Sequence, residues 1–91
     1  MYDNKKLVSN PNLQLRDEGG DRFIICSNEK GFETNAVGVR IIELCNSGMC
    51  FSDLVTTLVR EFDAPEDAIN EDLTVLIPEM IDGQILSAVE V

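Results

Sequence analysis

Apolar and polar residues alternate, break and then change period along this chain, and those changes mark out its elements. Up to about Pro11 the sequence is polar around the pair Leu7-Val8, which predicts a flexible arm over residues 1–11 and a single domain over residues 12–91. From Leu13 the period is two: Leu13 and Leu15 alternate with Gln14 and Arg16, Glu18-Gly19-Gly20-Asp21 breaks the run, and Arg22-Phe23-Ile24-Ile25-Cys26 is dense and β-prone. That pattern predicts a β-hairpin. Ser27-Asn28-Glu29-Lys30-Gly31 is a second turn cluster, and Gly31-Phe32-Glu33-Thr34 suffices for a short third strand.

At Asn35 the period becomes helical. Val37, Ile41, Leu44 and Cys45 share one helix face behind an Asn N-cap, and Asn46-Ser47-Gly48 ends the run. Leu54, Val55, Leu58, Val59 and Phe62 predict a second helix from about Phe51. Asp63-Ala64-Pro65-Glu66 combines a capping residue, a first-turn proline and early acids, announcing a third helix with the stripe Ile69, Leu73, Leu76, Ile77, Met80 and Ile81. Pro78 lies inside it and removes an amide hydrogen bond, so a kink is expected, because the stripe continues past it; the alternative is a helix that stops at Leu76 or Ile77. Gln84-Ile85-Leu86 is long enough to add a short terminal strand. The fold class is therefore α+β, winged-helix-like: a three-stranded antiparallel β-meander followed by three α-helices.

With 91 residues and 44% apolar positions the chain has room for one core, and a deep catalytic cavity would be hard to accommodate. Its formal net charge of −10 is unevenly placed. Residues 1–42 carry six basic and six acidic side chains, whereas residues 43–91 carry Arg60 against eleven acids. Two readings of that acidic half stand side by side: a solvated face that keeps the protein soluble, or a surface that attracts a cationic partner. No apolar run approaches the roughly 18 residues of a membrane span and no secretory leader is recognisable, which predicts a cytoplasmic protein without a membrane partner.

Candidate chemistry is sparse. Without histidine, no Ser-His, Cys-His or His-metal arrangement can form. Cys26, Cys45 and Cys50 are not in C-x-x-C spacing, and a zinc site would need Cys45 and Cys50 with carboxylates, so all three read as small buried hydrophobes. Gly19-Gly20 lies between strands, where it is a turn and not a phosphate cradle. Glu66, Asp67, Glu71 and Asp72 crowd a helix start that favours acids regardless of function. The expectation is no catalytic residue, no metal and no cofactor.

Three binding classes remain. A winged-helix DNA regulator fits the outline, but the presumed second and third helices contain Arg60 as their basic residue, too little for phosphate contacts. An acyl or peptidyl carrier needs a serine for its prosthetic arm, and Ser52 occurs as Phe51-Ser52-Asp53-Leu54 rather than Asp-Ser-Leu. The third class rests on a resemblance. The run Asn35-Ala36-Val37-Gly38-Val39-Arg40-Ile41-Ile42-Glu43-Leu44-Cys45-Asn46-Ser47-Gly48, followed in order by Asp53-Leu54, Phe62-Asp63, Asp72-Leu73, Leu76-Ile77, Met80 and Ile85-Leu86, resembles the PqqD family pattern from about Leu13 to Leu86. Thr34 stands where that pattern usually has Leu, Ser47 looks inserted, and Pro78 is atypical.

The resemblance implies a non-catalytic recognition element for ribosomally made peptides, holding a precursor's leader while a partner enzyme, such as a radical-SAM enzyme or a peptidase/maturase, modifies the core. The pathway would be of the PQQ type or, since Asn35 to Gly38 is also similar to small leader-binding proteins of lasso-peptide pathways, of the lasso type. The implied mode is strand addition, with the leader along Phe32, Glu33 and Thr34 and its side chains against Ile69, Asp72, Leu73 and Leu76. Such a leader should carry apolar anchors and at least one Lys or Arg to face Asp72 and Glu33. The protein would work as a monomer or weak dimer, without nucleic acid.

Overall fold

A computed structural model describes residues 5–27 and 30–90. In chain order the elements are β1 (Lys5–Ser9), β2 (Gln14–Gly19), β3 (Arg22–Ser27), β4 (Lys30–Thr34), α1 (Ala36–Leu44), a 3₁₀ turn (Cys45–Ser47), β5 (Met49–Cys50), α2 (Phe51–Phe62), α3 (Glu66–Asp82) and β6 (Leu86–Glu90). The fold is mixed α+β: the antiparallel meander β2-β3-β4, three helices and a short terminal strand.

The meander forms as its sequence predicts. Gly19 pairs with Arg22 across the two-residue loop Gly20-Asp21, where both residues have positive φ, 59° and 60°. That is the hairpin geometry whose twist matches its strands, and glycine adopts it at little cost. Asp21 Oδ1 accepts a hydrogen bond from the Ala36 amide at 3.0 Å, so the hairpin tip is tied to the start of α1. In the second turn cluster, Asn28 and Glu29 lie outside the described residues.

The expected flexible arm is, over residues 5–9, a strand. β1 is the centre of a second sheet of order β5-β1-β6, pairing antiparallel with Met49–Cys50 on one side and along its full length with β6 on the other. Burial is the physical reason: Leu7 is wholly inaccessible and Ser9 is buried, while Lys5, next to the strand's end, pairs with Glu90 at 2.6 Å. Residues 1–4 of that arm lie outside the described residues.

α1 begins at the Asn35 cap, whose side-chain oxygen accepts from the Gly38 amide at 3.2 Å, satisfying one of the free donors of the first turn. The junction of α2 and α3 differs from expectation. Asp63, expected to cap α3, instead closes α2 in the left-handed conformation (φ 49°), and the following amide of Ala64 returns to Val59 O. Pro65 is the N-cap of α3, accepting from the amides of Ala68 and Ile69. α3 does not stop at Leu76 or Ile77; it runs through Pro78, which lies on its exposed side, to Asp82. One core joins the sheets and helices, with Leu7, Ile41, Leu54, Leu58, Leu73, Ile77 and Met80 all fully inaccessible.

Candidate functional site

β4 is an edge strand. It pairs with β3 through Phe23↔Thr34, Ile24↔Glu33 and Ile25↔Phe32, and among the described residues no strand lies on its other side. An open edge presents unpaired backbone N–H and C=O groups, a template for another chain. Side chains alternate across it: Phe32 and Thr34 share the inner face with Ile25 and Phe23, and Glu33 shares the outer face with Ile24.

The end of β4 is pressed against α1. A Cβ at Gly38 would lie 2.9 Å from both Cβ and Cγ2 of Thr34, so the helix approaches this closely only because residue 38 is glycine. Thr34 Oγ1 is buried there and has no hydrogen-bond partner among the described residues. Beyond this corner an open groove of about 340 Å³ runs between the start of α1 and one side of α3, lined by Asn35, Val37, Glu71, Asp72, Val75 and Leu76. Val75 is 58% exposed, more than Leu15, Phe62 or Val89.

The seven residues expected to hold a peptide divide into three groups. Asp72 and Leu76 line the groove. Phe32, Glu33 and Thr34 form the open edge strand, although Phe32 packs partly into the core and Glu33 is already paired with Arg22 at 2.8 Å, which holds the guanidinium pKa above its ordinary value. Ile69 and Leu73 belong to neither group. Both are buried in the core, so their side chains support α3 from below and have no surface to offer a ligand. A helical stripe cannot distinguish its buried centre from its fringe, and the groove residues Glu71 and Val75 lie one step outside that stripe. They were legible only as neighbours of Asp72 and Leu76 on a helix surface.

A second hollow of about 370 Å³ lies between α2 and α3 and contains Ser52, Thr56, Asn70 and Thr74. Among the described residues its lining comes from α2 and α3 and from no strand, and the hydroxyls of Thr56 and Thr74 donate within their own helices, to Ser52 O at 3.0 Å and Asn70 O at 2.7 Å. Arg40 binds Glu61 through two hydrogen bonds of 2.7 and 3.0 Å, which fastens α1 to α2, raises the pKa of the guanidinium and lowers that of the carboxyl. Burial pushes the Cys45 thiol up to about 11. Among the described residues no three His, Cys, Asp or Glu side chains converge as a metal site would require, and no helix is long and apolar enough to cross a membrane.

The described residues assemble an open strand edge that meets a groove with apolar and acidic walls. A protein-family comparison matches residues 22–86 to the family described as coenzyme PQQ synthesis protein D (PqqD), a span that includes β3, β4, the three helices and the groove. No curated protein and no solved structure matches the chain.

Proposed function

Because the chain belongs to the PqqD family, we propose that it is a non-catalytic peptide-binding partner in coenzyme PQQ synthesis or a related pathway of ribosomally made peptides. In this reading it holds the leader of a precursor peptide and presents the remainder to a modifying enzyme. One observation carries the reading furthest: the unpaired edge of β4 runs toward a groove whose far wall is α3. A leader adding as a strand would satisfy the edge's backbone groups, and its alternate side chains would enter the groove between Val37 and Leu76. Backbone pairing supplies affinity without regard to sequence; the groove supplies choice. Short strand additions of this kind fall in about the micromolar to nanomolar range.

The test is titration of synthetic peptides, taken from any short open reading frames found beside this gene, into isotope-labelled protein, with backbone amides followed by NMR. The expected shifts concentrate at Phe32 to Thr34 and along Glu71 to Leu76. Shifts confined to α2, or none at millimolar peptide, would overturn the reading. Salt-sensitive retention of duplex DNA, or a phosphopantetheine mass on Ser52, would replace it with the regulator or the carrier.

A further inference from the structure

The groove-side surface of α3 has an uncommon composition. Ala68, Glu71, Asp72, Val75, Glu79 and Asp82 are all exposed and recur at steps of three and four, so they lie on one face of the helix. Along that face acidic residues alternate with small or aliphatic ones. Neither of the usual structural reasons accounts for the acids.

Ion pairing does not account for them. Elsewhere in the molecule Glu18, Glu33, Glu43, Glu61 and Glu90 each meet an Arg or Lys within 3.4 Å. Among the described residues no ion pair reaches a carboxylate of α3, and Lys5, Arg16, Arg22 and Arg40 are engaged with those other partners. The helix dipole does not account for them either. It favours Glu66 and Asp67 in the first turn, but Glu79 and Asp82 stand in the last turns, where the partial charge is negative and where α3 carries no basic residue. Folding alone thus leaves these acids at a disadvantage, and a cation brought by a ligand removes it.

We propose that the segment bound here is a basic peptide of the pattern basic–x–apolar–x–basic, a ligand class that rests on the strand-addition reading above and narrows it. The apolar side chain packs on Val75 and Leu76 opposite Val37. One cation faces Glu71 and Asp72, and the other faces Glu79, one turn beyond Val75. The spacing is consistent: Asp72 to Glu79 spans about 10 Å of helix. Two same-face steps of an extended strand cover about 13 Å, and Lys or Arg stems bridge the difference. Glu33 takes no part, because Arg22 already holds it.

The probe is a library of displayed random peptides selected on the 91-residue chain and, in parallel, on its surface variant Glu71→Lys/Asp72→Lys/Glu79→Lys. Selected peptides are then titrated into both proteins with amide shifts recorded. The wild-type surface is expected to enrich Lys or Arg on both sides of an apolar residue, and the variant to enrich Asp or Glu at the same positions. Replacing both cations by Ser should weaken binding about tenfold at low salt, with the difference shrinking at high salt. Winners that are neutral or acidic at those positions yet still shift the amides of β4 overturn the charge pattern and leave strand addition standing. Cationic winners that shift α3 but not β4 overturn strand addition and with it the register proposed here. Failure of every peptide to bind overturns both.

Discussion

The two sheets of this molecule contain three strands each and use them in opposite ways. In β5-β1-β6 the central strand is paired on both sides and sends Leu7 into the core, where Leu86 of β6 joins it. In β2-β3-β4 the edge strands stay open, and β2 is exposed at every position. The first sheet fastens the fold; the second is held out from it by its central strand and by α1. The open edges are not equivalent either. β2 carries Arg16, Asp17 and Glu18 and is interrupted between Asp17 and Gly19, features that discourage strand pairing. β4 also carries charged residues, Lys30 and Glu33, but its register with β3 is unbroken and a groove lies at its end. Under the proposed function, the unbroken edge beside a groove is the one that would receive a ligand.

This contrast breaks if the sheets share the mechanical load. Leu7→Ala in β1 is expected to cost about 2 to 5 kcal/mol in denaturant unfolding, because it leaves a cavity in a sealed part of the core. Leu15→Ala in β2, where the side chain is 52% exposed, is expected to stay within about 0.5 kcal/mol. Equal losses would mean that β2-β3-β4 supports the fold as much as it serves a ligand. The alkaline limb of stability gives the next largest effect. Cys45 is wholly inaccessible and its thiol is raised from 9.0 to about 11, so the folded state keeps the proton that the unfolded state releases first. The contribution is complete below pH 9.0 and declines as pH rises toward 11, by up to about 2 to 3 kcal/mol. Unfolding curves across that range should slope less steeply in Cys45→Ala.

Smaller effects sharpen the picture at the corner between β4 and α1. Gly38→Ala forces a methyl group against Thr34 and should cost about 1 to 3 kcal/mol. Combination with Thr34→Ala should recover part of the loss, since the second change removes the contacts with Oγ1 and Cγ2, and an unpartnered hydroxyl, while the Cβ contact at 2.9 Å stays; additive losses would show that the two residues do not meet. The smallest effect is expected at the fastening pair Lys5–Glu90. Its carboxyl is held below the ordinary value of 4.5 by the hydrogen bond from Lys5, so its contribution is present above that pH and is lost as pH falls through the folded value. Because both partners reach solvent, the thermal midpoint of Lys5→Ala should stay within experimental error of wild type at neutral pH.

What could be read from the sequence was local. The Gly19-Gly20 turn, the Asn35 cap and the periodicity of the three helices each depend on residues a few positions apart, and each element formed. β1 is not legible in the local pattern because its reason for existing is distant: five largely polar residues become a strand only when β5 and β6 are brought to them. Asp63 was ambiguous for a different reason, since a short polar side chain suits the end of one helix as well as the start of the next. At the candidate site the pattern predicts α3, and the family resemblance points to Asp72 and Leu76 on it. It could not separate them from Ile69 and Leu73, because only tertiary packing decides which part of a stripe is covered.

The pairing of β1 with β6 also governs the order in which the molecule is completed. Lys5 and Glu90 are 85 positions apart, so during synthesis β1 emerges long before the partner that covers most of it exists. The hairpin and helices can organise from nearby contacts while Leu7 waits in water, and the final closure is a long loop with a high entropic cost. Translation speed through α3 and β6 would then set how long an unpaired, partly apolar strand is available to other nascent chains.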